Sequence, residues 1–199
     1  MPKRSKIALL LSLLISFSLE CQAEEIVFTS RETIHRSSML LGGSLVQLQT
    51  PTAALTGFGG LIAYRYSLNS VWALRPQIGQ VYETMGGGKS LFTSLGGLVE
   101  YAITGAYLWG ETQYESRGES VAKLFQPRTT IWSTGFGFEQ LFLSGSESVY
   151  AAPGFTAQVG YHFNYSARSY GVELKFGQYS SGEKPFTGIT LNVLSSFDL

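Results

Sequence analysis

Over the last thirteen residues Ile189, Leu191, Val193, Phe197 and Leu199 share one face of a strand, with Gly188, Thr190, Asn192, Ser196 and Asp198 mainly on the other. A period of two is the mark of a strand with one apolar and one polar side. The pattern recurs six times upstream. Phe58, Ile62, Tyr64, Tyr66 and Leu68 oppose Gly57, Gly59, Ala63 and Arg65; Trp72, Leu74 and Ile78 oppose Ala73, Arg75, Gln77 and Gly79. Leu91, Leu95, Val99, Tyr101 and Ile103 oppose Ser94, Gly96 and Glu100; Trp132, Phe136 and Phe138 oppose Ser133, Gly135, Gly137 and Glu139. Phe155, Ala157, Val159, Tyr161 and Phe163 oppose Thr156, Gln158, Gly160 and His162; Tyr170, Val172, Leu174 and Phe176 oppose Gly171, Glu173, Lys175 and Gly177.

Met39 to Gln49 and Ala106 to Tyr114 also read as strands, which makes nine. A barrel with both termini on one side needs an even number. Either Leu91 to Tyr114 is one long strand, since Tyr107 and Trp109 keep its odd-position phase, or Ser120 to Gln126 adds a short tenth. Chain length favours eight strands of about 10 residues, with ten as the alternative.

The polar faces carry Gly, Ser, Thr, Gln and isolated charges, where a soluble sandwich shows many Lys and Glu. Charged residues are 14% of the chain, against about 25% in soluble domains. The 23 glycines exceed the roughly 14 of average usage. A surface facing lipid accounts for this deficit of charge. Lipid cannot hydrogen-bond an open strand edge, so the sheet must close with its apolar face outward. The sequence therefore predicts an all-β fold: a closed antiparallel transmembrane up-and-down β-barrel over residues 37–199.

The chain opens with Lys3, Arg4 and Lys6, an apolar run from Ile7 to Leu19, and Cys21-Gln22-Ala23. This is the three-part layout of a secretory signal peptide, residues 1–23, with cleavage after Ala23. A lipidated Cys21 would want a small residue before it, where Glu20 stands. Cleavage leaves 176 of the 199 residues, removes the single cysteine, and leaves 11 basic against 13 acidic residues. Disulfides and thiolate metal sites are thereby excluded, and nucleic acid is no expected partner without clustered Lys and Arg. Residues 24–36, with Glu24, Glu25, Arg31, Glu32, His35 and Arg36, read as a polar periplasmic lead-in.

The phase sends Arg65, Arg75, Glu100, Glu139, Glu173 and Lys175 inward, three of each sign. Buried charges must be paired and hydrogen-bonded, so a balanced set reads as an ion-pair network plugging the lumen. A narrow pore is the alternative; wide channels take about 16 strands or more. Tyr64, Tyr66 and Trp72 crowd the tight turn Leu68-Asn69-Ser70, Tyr161, Phe163, Tyr165 and Tyr170 crowd the turn at 164–168, and with Phe197 near the chain end they form an expected aromatic girdle at the inner interface. The longer connections Glu83–Lys89, Ser116–Arg128 and Ser180–Pro185 read as outer loops.

Little points to catalysis, and no cofactor or metal set is assigned. The single aspartate is Asp198, which rules out an aspartate pair, an EF-hand loop and a deep Ser-His-Asp triad. His162 lies inward among Ser and Glu and is read as a hydrogen-bonded filler. Met85-Gly86-Gly87-Gly88-Lys89 lacks the full phosphate-loop spacing and no helix follows it; it reads as a hairpin loop.

Two stretches resemble the hairpins of small outer-membrane barrels of the outer membrane protein A and X group. One is Gly57–Tyr82, with Tyr64-Arg65-Tyr66, the Asn69-Ser70 turn and Trp72 to Arg75; the other is Gly160–Gly177, with Tyr161-His162-Phe163 and Gly171 to Phe176. The chain departs from that group in ending on Leu199, with Phe197 two positions earlier. It also lacks the His-x-Ser-Asn motif of lipid A deacylases. The resemblance implies a Gram-negative outer membrane, contact with its lipids and lipopolysaccharide, and insertion by the barrel-assembly machinery. The expected role is structural or surface-interactive through the loops. The alternatives are a secreted lipocalin-like barrel for a small apolar ligand and a lipid A-modifying enzyme.

Overall fold

In the computed structural model, residues 28–199 are described except 52, 85–89, 118, 126–129, 145–148, 166–167 and 183. Every regular element among them is a strand: β1 (Phe28–His35), β2 (Ser37–Gln49), β3 (Ala54–Ser67), β4 (Trp72–Glu83), β5 (Ser90–Thr104), β6 (Trp109–Ser116), β7 (Glu119–Phe125), β8 (Ile131–Ser144), β9 (Val149–Tyr165), β10 (Arg168–Ser181) and β11 (Lys184–Asp198). Eight of them close a barrel in the order β10-β11-β2-β3-β4-β5-β8-β9, and every neighbouring pair is antiparallel. The eight-stranded transmembrane-type barrel expected from the alternation is therefore what the chain forms.

The surplus strands have a separate home. β1, β6 and β7 make a three-stranded sheet in the order β1-β6-β7. Leu91 to Tyr114 is thus not one long strand, and Ser120 to Gln126 is not a tenth barrel strand. Gly105 takes a left-handed φ of 79° between β5 and β6, a conformation that glycine adopts without cost and that ends the strand. Tyr107 and Trp109 kept the odd phase by coincidence. Residues 28–35 of the predicted lead-in are strand β1, and the leader lies outside the described residues.

The chain divides into two compact units, one of residues 32–112 with 125–199, which holds the barrel, and one of residues 1–31 with 113–124. Within the described part of the smaller unit, Thr29 donates to the Glu115 carbonyl at 3.4 Å and Gln113 Nε2 to Ser120 Oγ at 3.0 Å.

The barrel has a terminal end, where Ser37 and Asp198 lie, and a far end. By strand order, β2 and β3, β4 and β5, β8 and β9, and β10 and β11 follow one another at the far end, whereas β3 and β4, β5 and β8, and β9 and β10 follow one another at the terminal end. The 84–89 and 182–183 connections thus lie opposite the termini, although 85–89, with the glycine run, and 183 fall outside the described residues. Ser116–Arg128 does not join them. It belongs to the β5–β8 connection, which leaves from Thr104 and returns at Ile131, both at the terminal end. Its length and polarity matched an outer loop, but its strand β7 pairs with β6, which in turn pairs with β1.

The wall is oriented as the pattern requires. Phe155 is 77% exposed, Trp72 42%, Leu174 40% and Val193 57%, while Arg75, Glu100 and Glu173 are at 0%. The outward apolar run on β9, Phe155 to Phe163, spans about 20 Å along the barrel axis, given a rise of ~3.3 Å per residue and a strand tilt of ~40°. Outward Gln47, Gln80, Thr93, Gln140, Gln178 and Thr187 succeed the apolar run towards the far end on six strands.

Candidate functional site: the barrel lumen

Alternation brings one residue in two from each of the eight strands into the lumen, and all six predicted charges meet there. Arg65 Nε donates to Glu100 Oε2 at 2.6 Å. Arg75 Nη1 stands 2.8 Å from Glu100 Oε1 and 2.5 Å from Glu173 Oε1, and its Nη2 donates to Glu173 Oε2 at 2.9 Å. Lys175 Nζ donates to both oxygens of Glu139, at 2.7 and 2.9 Å.

Three neutral side chains, which sequence reading left unassigned, tie these pairs together. Gln158 accepts from Arg75 Nη2 at 2.8 Å and donates to Glu100 Oε1 at 2.7 Å. Gln77 accepts from Arg75 at 3.2 Å and donates to Glu139 at 3.4 Å, joining the two halves. Tyr179 donates to Glu139 Oε2 at 2.6 Å. Amides and phenols supply the extra hydrogen bonds that make burying charge tolerable, because each guanidinium and carboxylate has more sites than one ionic partner fills. A count of inward charges cannot identify them; their inward parity could have.

His162 is 2% exposed, with Nε2 at 3.4 Å from Glu173 Oε1 and 3.3 Å from Arg65 Nη2. Ser133, at 0% exposure, gives its hydroxyl to the Gly160 carbonyl at 3.5 Å. The histidine thus packs into the ionic layer, as a filler does.

The polar layer is flanked by apolar ones, which corrects the expectation of a polar, glycine-rich lumen throughout. Towards the far end Leu48, Val81, Phe92, Leu141, Tyr179 and Phe186 pack together inside the barrel with Val46 and Ala152. Towards the terminal end Tyr107, from the β5–β6 connection, packs with Ala73, Ala102 and Ile131. Its backbone N–H donates to the Ser70 carbonyl at 2.8 Å, and the Arg65 guanidinium lies 5.1 Å from its ring centroid, within cation–π range. One cavity of about 20 Å³ adjoins Lys175, Thr190 and Asn192, and another of about 40 Å³ adjoins Arg65, Tyr107 and Asp198.

The predicted girdle residues gather at the terminal end of the outer wall. Tyr64, Tyr66, Trp72 and Phe197 are exposed, and Tyr161, Phe163 and Tyr170 form a stacked run with centroids 5.9 and 6.0 Å apart. The Tyr165 side chain lies outside the described residues. Two further aromatics join the band: Tyr101 lies 4.8 Å from Trp72, and Trp132 lies 4.7 Å from Tyr161.

A closed eight-stranded sheet with an apolar exterior and a charged, packed interior defines a membrane β-barrel of the small outer-membrane type. Comparison with solved structures finds similar chains, one of which shares the fold. Neisserial surface protein A superposes with a TM-score of 0.57 at 7% identity, over 84% of this chain and 99% of that one. Ail, the attachment invasion locus protein of Yersinia pestis, gives 0.39 at 14% identity, over 82% and 99%. Outer membrane protein OprG from Pseudomonas aeruginosa gives 0.37 at 9% identity, over 83% and 96%. No protein-family model matches the chain, and no curated protein matches it.

Proposed function

We propose that this chain is an outer-membrane barrel with a sealed lumen, exported by its 1–23 leader, inserted by the barrel-assembly machinery, and acting structurally or through its far-end loops at the cell surface. Lipids and lipopolysaccharide are its immediate partners, met by the apolar wall and by the aromatic girdle at the terminal-end interface. The observation that carries the sealed reading is the lumen's stacking. The neutral ionic layer of Arg65, Arg75, Lys175, Glu100, Glu139 and Glu173 lies between apolar layers, and the cavities beside it are about 20 and 40 Å³. One water needs about 10–15 Å³, so each of these two spaces holds a few waters at most. The same packing favours a plug over a narrow pore.

Single-channel recording in planar bilayers tests this. The wild-type barrel leaves the bilayer at its baseline conductance, and Arg75→Glu, which puts a third carboxylate beside Glu100 and Glu173, introduces leakage. Steady unitary conductance from the wild type would overturn the sealed reading.

A further inference from the structure

Glycine on the outer wall is unexpected, because it weakens a strand and commonly marks a bulge, a bend or the close approach of a ligand or another backbone. Gly43 and Gly60 face outward opposite one another in the unbroken β2–β3 register. A Cβ added to Gly43 would meet nothing nearer than a backbone oxygen at 3.9 Å, and one on Gly60 nothing nearer than 3.8 Å. Neither position is crowded and neither is bulged. Gly59 differs: its Cβ would fall 1.9 Å from the Gln80 carbonyl oxygen.

Gly60 lines a furrow of about 440 Å³ in the wall, and Gly43 lies directly across from it on β2. Register places Gly43, Gly60, Gln80 and Thr93 in one row across β2 to β5, with Leu41, Ile62 and Ile78 as the rim on the terminal side. Leu45 and Phe58 stand on the other side, also exposed. These rims are four residues apart, about 13 Å between backbones at ~3.3 Å per residue. Their side chains narrow that gap well below the roughly 10–12 Å diameter of a helix. Thr93 Oγ1 donates to Gln80 Oε1 at 3.2 Å, which puts a polar pair at the β4–β5 end of the row. Gln80 and Thr93 also belong to the set of outward Gln and Thr residues that follow the apolar belt on the far-end side.

We propose that this furrow seats one acyl chain of a bilayer lipid, its chain lying over Gly43 and Gly60 and its ester or amide carbonyl region beside Gln80 and Thr93. The furrow is continuous with the lipid-facing wall and carries no charged lining residue. Nine lining residues are few beside the roughly 20–30 residues a side of a stable protein interface. The inference rests on the membrane-barrel reading above and deepens it by naming a lipid site.

Native mass spectrometry of the full purified chain in dodecyl maltoside with added dimyristoyl phosphatidylethanolamine tests it. The filled variant is Gly43→Leu with Gly60→Phe. The control is Gly97→Leu, an outward glycine outside the furrow whose Cβ would meet nothing nearer than 3.9 Å. Wild type and control retain one lipid through collisional activation, and the filled variant loses at least tenfold of that one-lipid population while all three keep a heat-shifted gel band. Equal retention by the filled variant, no retained lipid in the wild type, or a wild-type dimer abolished by filling would each overturn the lipid site. Absence of the heat shift in the wild type would instead overturn the barrel reading beneath it.

Discussion

Arg75 and Glu173 brace the barrel across its full width: Nη1 donates to Oε1 at 2.5 Å and Nη2 to Oε2 at 2.9 Å. Their strands, β4 and β10, are four places apart in a closed ring of eight, so the bidentate pair spans a diameter. Arg75 also reaches Glu100 on β5 and Gln158 on β9. One guanidinium thereby ties four strands together, a geometry suited to its planar fork of donors.

Removing one member of that brace leaves a buried charge without its partner. Arg75→Met should destabilise the barrel by about 3–5 kcal/mol, read as a lower urea midpoint for unfolding from lipid vesicles. Pairing it with Glu173→Gln should recover part of the loss, since one of the two stranded carboxylates is gone. A double variant whose loss equals the sum of the two single losses would mean that the two residues are not coupled.

Tyr107 closes the terminal-end side of the lumen from outside the ring of strands. Tyr107→Ala should cost about 2–5 kcal/mol, the range for truncating a large buried apolar group, and should speed hydrogen exchange at the amides of Ala73 and Ala102. Tyr107→Phe keeps the ring against Arg65 and should leave exchange close to wild type. If alanine and phenylalanine behave alike, the ring is not what seals this end.

Depth in the membrane sets the cost of an outward charge. Leu174 lies within the apolar run of β10, and Gln178 lies four residues further towards the far end, beyond Phe176. Leu174→Arg should therefore cost about 2–4 kcal/mol and Gln178→Arg about 0–1 kcal/mol, measured by reversible unfolding into bilayers. Equal costs would place the hydrocarbon boundary elsewhere.

The wall was legible in the sequence because an exclusively two-sided environment imposes strict alternation. Phe155 through Phe163 and Tyr170 through Phe176 are each outward at every second residue, and Arg75, Glu100 and Glu173 fall on the opposite face. The ionic layer was legible for the same reason, as charge at inward parity. Its neutral members, Gln77, Gln158 and Tyr179, were not singled out, because an amide or phenol at inward parity carries no obligation to find a charge. The far-end apolar layer was hidden differently. Leu48, Val81 and Leu141 are inward beside outward Gln47, Gln80 and Gln140, so the polarity of the two faces reverses there and binary pattern alone does not separate lumen from lipid. The β1-β6-β7 sheet escaped notice because it joins Phe28–His35 to residues some 80 positions away, and short polar strands offer no apolar face to betray the pairing.

The most direct measurement is to separate the membranes of a Gram-negative cell expressing the full chain and compare its gel mobility with and without boiling. A closed barrel braced through its lumen should be recovered in the outer-membrane fraction, run compactly when unboiled, and shift to its full apparent mass on heating. Recovery in the periplasmic wash without detergent, with one unshifted band, would contradict it.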